Sequence, residues 1–555
     1  DITKVNAKIE DYIQTKNKDT NVKLFLQNFG QSYLYGQWKA GVQDGGRIEY
    51  VRIFSIVAII ILLIACINFM NLATARSLKR AREVGVRKVV GARKYQLVLQ
   101  FFSESVLVSF IALLCALAMV YFFLPSFNTV TGKLLKIPFT DPAFLITVFG
   151  LTLGTGVFAG SYPAFFMSAL RPITVLKGWL RFNPSATLLR RGLVVFQFAL
   201  SIFLIMGMIV IYRQIAYINN KSLGFDKENL IMVPIEGDLQ KNYEVFKQEL
   251  SREAGIKQIT SASNSPLQVG SSTGGVRWPG KDTTKSILFS NSNITYDYIK
   301  TMGIELVNGR DFDHSFSTDT VNYLINESAA KKIGYTDPVG KELTMWGDKG
   351  QIIGLMKDFH HNSLHVPIDP LIIRLFKPSW QSVWGYIIVR TEAGQTKQAI
   401  ASLEKMYKQF NPAFPFKYSF TDEEIAKNYK SEQTVGKLSK YFAFLAIFIS
   451  CLGLFGLATF TAEQRIKEIG IRKVLGAGVG NLVGMLSKDF MLLVAVSTLI
   501  AFPVSWYFLT GWLEKYPYRE GMHWWYFGMA GALAIMIALI TVSFQTIRAA
   551  VANPV

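Results

Sequence analysis

The sequence predicts an α-helical polytopic membrane protein with one large mixed α+β domain outside the bilayer. Three observations predict it. Seven apolar runs are long enough to span a bilayer, which takes about 20 residues. Half of the 555 residues are hydrophobic and 18% are charged, against about 25% in a typical soluble protein. The net charge of +20 is concentrated in short loops between those runs.

Residues 1–49 are polar and of mixed charge, and read as the tail of an outer domain. Runs at roughly 51–74, 98–124, 142–167 and 192–212 follow as spans. Residues 213–437 hold 27 basic and 25 acidic residues, the balance of an ordinary soluble domain. Within them, strands are expected at 229–235, 256–262, 287–294, 323–325, 352–356, 371–376 and 386–390. Helices are expected at 239–253, 296–302, 326–333 and 394–409, from the switch between alternating and helical apolar spacing. The polar, helix-compatible flanks 212–220 and 423–440 could prolong the adjoining spans as stalks. Runs at 439–461, 483–510 and 524–547 complete the chain.

Orientation follows from the loops. Residues 75–98 hold eight basic residues and one acid, residues 168–191 five and none, and residues 462–481 four and two. Loops rich in Lys and Arg stay on the cytoplasmic side. All three are therefore inside, and 213–437 is outside. The basic balance is thus explained by topology, not by nucleic acid. With seven spans residues 1–49 lie outside, and a preceding transmembrane helix is expected to have exported them.

The three cysteines, Cys66, Cys115 and Cys451, sit in apolar runs and read as packed thiols rather than a disulfide framework. No Gly-x-x-x-x-Gly-Lys-Ser/Thr occurs, so no phosphate-cradling loop is expected. The glycine-rich stretch 476–480 lacks the lysine. His360, His361 and His365 cluster near Asp358, but read as a polar loop rather than a metal site. Gly150, Gly154, Gly156 and Gly160 in the third run allow close helix approach, either within the chain or at a dimer seam. Asn68, Asn71 and Gln197 lie at membrane depth and are expected to bond between helices. Too few ionisable residues lie mid-span for an ion relay.

An internal repeat carries the functional reading. Residues 82–92, Arg-Glu-Val-Gly-Val-Arg-Lys-Val-Val-Gly-Ala, recur 385 residues later at 467–477 as Lys-Glu-Ile-Gly-Ile-Arg-Lys-Val-Leu-Gly-Ala, with seven of eleven identical. Ala73, Thr74 and Arg80 likewise match Ala458, Thr459 and Arg465. Each copy follows an inbound span and precedes an outbound one, which implies two pseudo-equivalent halves. The motif reads as a short helix ended by Gly91. Val86, Val89 and Val90 fall on one apolar face, and Arg82, Arg87 and Lys88 stay polar. Such a helix would lie at the inner membrane surface and pair its charges with lipid phosphate or with a protein. Lipid anchoring explains the charge. A docking job shared by both halves explains why the same pattern appears twice.

The double motif resembles the FtsX/MacB-type permeases of ABC transporters, in the form common in Bacteroidota. Ile67-Asn68-Phe69-Met70-Asn71-Leu72-Ala73-Thr74-Ala75-Arg76 resembles that family's first core helix. Tyr162-Pro163-Ala164, Arg171-Pro172 and Leu176-Lys177-Gly178 resemble its mid-chain loop. Val195-Phe196-Gln197-Phe198 and Leu223-Gly224-Phe225 resemble its second-half entry. Asn308-Gly309-Arg310-Asp311-Phe312, Ile325-Asn326-Glu327 and Lys357-Asp358-Phe359-His360 resemble its MacB-like outer domain.

The resemblance implies four parts: 1–49, the tail of a first periplasmic domain; 50–212, a first FtsX-like unit; 213–437, a MacB-like periplasmic core domain with stalks; and 438–555, a second FtsX-like unit. Eight spans are expected in the full protein. It implies an inner-membrane permease without catalytic residues or cofactor of its own, ATP and Mg being bound by a partner ATPase subunit. Glu83, Gly85, Arg87, Lys88 and Gly91, with Glu468, Gly470, Arg472, Lys473 and Gly476, would couple to that subunit. The expected partners are the ATPase, a second permease in a homodimer or heterodimer, membrane lipid, and a periplasmic adaptor or outer-membrane channel. The implied role is export or extrusion of a drug, peptide or lipoprotein. The alternative is a mechanotransmitting scaffold that moves no substrate and regulates a periplasmic partner such as a cell-wall hydrolase.

Overall fold

The computed structural model describes residues 2–16, 22–39, 42–169, 184–282 and 287–551. The middle basic loop, with Arg171, Lys177 and Arg181, falls outside them. Seven helices among the described residues are long and apolar enough to cross a membrane. The chain divides into two compact units. The outer unit comprises Asp1–Asp44, Ala216–Ser431 and Glu514–Arg519; the membrane unit comprises Gly45–Ile215, Glu432–Leu513 and Glu520–Val555.

The described elements of the membrane unit are helices. The first span is Ile48–Lys79, the second Lys94–Thr131, the third Pro142–Ala169 and the fourth Pro184–Asn220. The fifth is Lys430–Gln464, the sixth Val479–Leu513 and the seventh Trp524–Val551. A short helix, Ala81–Val89, joins the first span to the second, and Ile466–Val474 joins the fifth to the sixth. The main core gathers Phe198, Ile202 and Met206 of the fourth span, Leu454 of the fifth, Val494 of the sixth and Ala534 of the seventh. A polar layer crosses it. The Asn68 amide donates to the Ile449 carbonyl at 3.3 Å, and the buried Ser201 and Ser450 hydroxyls lie 2.7 Å apart. Gly453 admits Asn68, because a Cβ there would run into the Asn68 amide.

Gly156 and Gly160 face the second span. A Cβ at Gly156 would lie 2.9 Å from the Val106 backbone, and one at Gly160 would lie 2.7 Å from Ser105. Gly150 and Gly154 have nothing within 4 Å of that position. Cys66 is buried and Cys451 half-buried, but Cys115 is exposed. The expectation of three packed thiols therefore fails at Cys115. A thiol is apolar enough to face lipid, so an apolar run does not fix which side of a span meets protein.

The outer unit is built on one mixed sheet. A small hairpin, β1 (Trp38–Lys39) and β2 (Val42–Gln43), precedes it. The sheet comprises β3 (Leu230–Ile235), β4 (Ile256–Ala262), β5 (Ser272–Thr273), β6 (Val276–Arg277), β7 (Phe289–Ile294) and β8 (Leu306–Gly309). It continues with β9 (Tyr323–Asn326), β10 (Glu342–Met345), β11 (Asp348–Met356), β12 (Leu371–Leu375), β13 (Gly385–Thr391) and β14 (Ser419–Phe420). The strand order is β14-β3-β13-β4-β7-β12-β9-β11-β10-β6, with β5 on β7 and β8 on β11. Among the described residues, only β7–β12 and β9–β11 run parallel.

Two helices cover the β3–β13–β4 end. Leu239–Leu250 buries Leu239, Tyr243, Phe246 and Leu250, and Thr396–Phe410 buries Ala399, Leu403, Met406 and Tyr407. These spacings put one apolar stripe on each helix. A second core, around Phe289, Tyr323, Leu343 and Ile352, supports the other end. The expected strands and helices are all present. The sequence reading missed the short strands β1, β2, β5, β6, β8, β10 and β14, and the expected helical stalk 423–440 is broken at Tyr429, which separates the helix Thr421–Asn428 from the fifth span.

Candidate functional site

The two short cytoplasmic joints form matching elbows, and both are built by the repeat. The first leaves the helical path at Arg80 (φ −90°, ψ 4°), and the second at Arg465 (φ −101°, ψ 14°). Both end in one turn chemistry. The Ala92 amide donates to the Arg87 carbonyl at 2.9 Å and the Gly91 amide to Lys88 at 3.2 Å. The Ala477 amide donates to Arg472 at 2.9 Å and the Gly476 amide to Lys473 at 3.1 Å. This pair of bonds closes a helix through a left-handed residue. Gly91 (φ 106°) and Gly476 (φ 88°) supply it.

One buried aliphatic side chain pins each elbow. Val84 packs with Leu97, Phe101, Ala164 and Met167, and Ile469 packs with Leu482 and Leu486. Val84, Leu97 and Phe101 lie 385 residues before Ile469, Leu482 and Leu486. Ion pairs repeat at the same offset. Glu83 meets Arg87 at 2.7 Å, and Glu468 meets Arg472 at 2.8 Å. Arg80 reaches Glu104 at 3.2 Å, and Arg465 reaches Asp489 at 3.4 Å.

The expected coupling residues thus divide by role. Glu83, Arg87, Glu468 and Arg472 brace their own elbows, and Arg87 also donates to the Gln100 side chain at 2.8 Å. Gly85 is buried and Gly470 half-buried, next to the pinning residues. Lys88 turns inward and donates to the Ser168 carbonyl at 2.7 Å, at the end of the third span. Burial, with Lys94 nearby, lowers its pKa. The outward surface is apolar. Val86, Val89 and Val90 are 50%, 64% and 82% exposed, and their counterparts Ile471, Val474 and Leu475 are 63%, 78% and 79% exposed. The sequence showed the first triad as one face. It missed the pinning residues, which lie inside the repeat and differ from their apolar neighbours only in burial, and the Glu104 and Asp489 partners, which running the repeat on past residue 92 would have found.

The other motif residues build joints in the outer unit. His360 donates its amide to the Leu223 carbonyl at 2.7 Å, and Phe225 meets Phe359 edge to face at 6.4 Å. Asp358 accepts from the Ser328 amide at 3.0 Å and the Ser328 hydroxyl at 2.6 Å. Arg310 holds the buried Asp319 through two bonds of 2.7 Å. The three histidines do not converge. His360 packs on the Tyr518 ring, His361 Nδ1 lies 3.3 Å from the Phe359 carbonyl, and His365 packs on Tyr516. No group of three metal-ligating side chains forms among the described residues.

Comparison with known proteins finds two family models. The FtsX-like permease C-terminal model matches twice, at residues 55–172 and 441–554, and each match contains one elbow. The MacB-like periplasmic core domain model matches residues 192–406. The chain is 33% identical over 121 residues to the macrolide export ATP-binding/permease protein MacB of Bdellovibrio bacteriovorus, covering 22% of this chain and 18% of that protein. It is 23% identical over 245 residues to the protein of the same name from Chromobacterium violaceum, covering 42% and 36%. The chain therefore spans well under two thirds of these relatives. The crystal structure of the periplasmic region of MacB from Actinobacillus actinomycetemcomitans aligns with 36% of this chain and 93% of its own, at 19% identity and a TM-score of 0.29.

Proposed function

We propose, for a chain that belongs to the FtsX/MacB-type permeases of ABC transporters, that each elbow is a seat for a separate ATPase subunit. The chain is a multi-pass inner-membrane protein with a periplasmic MacB-like domain. The matched families are transmembrane and periplasmic components, not ATPase domains.

The observation that carries the reading is the exposed apolar triad, present twice at one offset. Covering an aliphatic side chain is worth about 1.5–3 kcal/mol. Three per elbow, with the exposed Arg82 one turn before Val86, suit a cleft in a protein partner. The braced Glu–Arg pairs would then serve to hold the helix shape, and the exposed Arg82 would meet partner acids. Closure of two ATPase subunits would displace both elbows. The fourth-span helix, unbroken to Asn220, would carry that motion outward as a rigid element. The size of the outer domain favours substrate handling, by export or extrusion of a drug, peptide or lipoprotein. The same transmission would serve a scaffold that regulates a periplasmic hydrolase.

The test is Val89→Asp combined with Val474→Asp. Affinity-purified wild-type protein should bring an ATPase subunit with it. The double variant should reach the membrane at the wild-type level and lose that subunit. Undiminished co-purification would overturn the docking assignment.

A further inference from the structure

The membrane unit contains a groove that the elbows do not use. It has a volume of about 480 Å³ and is walled by the first, fourth, fifth and sixth spans. Two aromatic pairs frame it, Phe54 with Phe442 at 5.5 Å and Phe203 with Phe508 at 6.2 Å. None of its lining residues is charged. Its floor is buried at Ala443 and Ala501, whereas Ile56, Val504 and Phe508 are exposed, so it opens sideways. The lining falls at residues 53–60, 439–443 and 500–512, toward the outer ends of their spans, and the fourth span contributes residues 196–211. That places the groove in the outer-leaflet half.

Water does not fill an apolar opening at this depth, because nothing there can satisfy its hydrogen bonds. Basic residues stand at the outer rim. Lys440 lies 4.9 Å over the ring of Tyr212, next to the lining residue Ile211. Arg52 is exposed one turn outward of Ile56, on the same helix face. Of the acids at the outer ends of these spans, Glu432 accepts from the Tyr50 hydroxyl at 3.3 Å and Glu520 pairs with Arg213 at 3.1 Å, while Glu49 stands three residues before Arg52 and Glu514 two residues after Trp512. Apolar walls below a cationic rim match an acyl chain below a phosphate. We infer that this groove holds an acyl chain of a phosphate-bearing glycerolipid drawn from the outer leaflet, with Lys440 and Arg52 at its headgroup.

The groove also offers a clean way to fill it. A Cβ at Gly207 would meet only Leu509, at 3.9 Å. Gly207→Trp therefore fits the helix and occupies the space. The experiment uses the full chain in nanodiscs with a phosphatidylglycerol that carries a photoreactive diazirine on one acyl chain. Labelling should concentrate on residues 53–60, 196–211 and 500–512. Gly207→Trp should lower it about tenfold, equivalent to about 1.4 kcal/mol. Lys440→Gln should weaken labelling by this probe but not by a diazirine fatty alcohol without phosphate. Three outcomes would each overturn the proposal: labelling spread evenly over exposed residues such as Leu114 and Phe122; labelling unchanged by Gly207→Trp; or crosslinks showing a protein helix in the groove. ATPase co-purification is read at the elbows, so either proposal can fail without the other.

Discussion

At the scale of single residues, burial decides which members of a motif hold the structure and which meet a partner. Val84 and Val86 are both valines of one short helix, yet one is 5% exposed and the other 50%. In the outer unit, His360 shows the same dependence on surroundings. It is buried against Tyr518, whose hydroxyl accepts from the Ile368 amide at 3.3 Å. Burial, with Lys221 nearby, pushes the imidazole down to about 4. A depressed folded-state pKa contributes stability above the unfolded value of about 6.5 and loses it as the pH falls toward 4. Acidification across that window should destabilise the outer unit by on the order of 2–3 kcal/mol. His360→Phe keeps the ring packing and should flatten the response. Thermal melting of the full chain between pH 7 and 4 measures it, and equal pH slopes for variant and wild type would refute it.

At the scale of elements, each elbow has two kinds of attachment of unequal strength. The ion pairs from Arg80 to Glu104 and from Arg465 to Asp489 are largely exposed. Such pairs contribute about 0–1 kcal/mol. The pinning residue is worth more, since removing two buried methyl groups costs about 2 kcal/mol. Val84→Ala should therefore loosen the first elbow where Glu104→Gln does not. Amide hydrogen exchange over residues 81–92 would show it, and a larger effect from Glu104→Gln would reverse the ranking. If the elbows are ATPase seats, Val84→Ala should also weaken co-purification while leaving the outward triad chemically intact.

At the scale of the whole molecule, sidedness is the claim with the widest consequences. Lys349 is an exposed residue of the outer unit, and Lys94 is exposed at the start of the second span. A cysteine placed at Lys349 should react with an impermeant thiol reagent added from the periplasmic side, and one placed at Lys94 should not. The opposite pattern would invert the topology and take the docking seats out of reach of a cytoplasmic ATPase.

The spans, their direction, the repeat and most of the outer strands could be read from the chain alone. These properties are written in local chemistry: apolar length, the placement of lysine and arginine, and alternation of side chains. Short strands such as Leu306–Gly309 could not be read, because four residues carry too little pattern. The choice of Val84 over Val86 as anchor needed the packed second and third spans, since both valines are equally apolar in sequence. The lateral groove was invisible for a related reason. Its lining comes from four separated segments, and each by itself is an ordinary lipid-facing stretch. Sequence determined what could cross the membrane and which ends face inward. Which apolar surfaces were left uncovered followed from packing, because coverage depends on neighbours that the linear order does not specify.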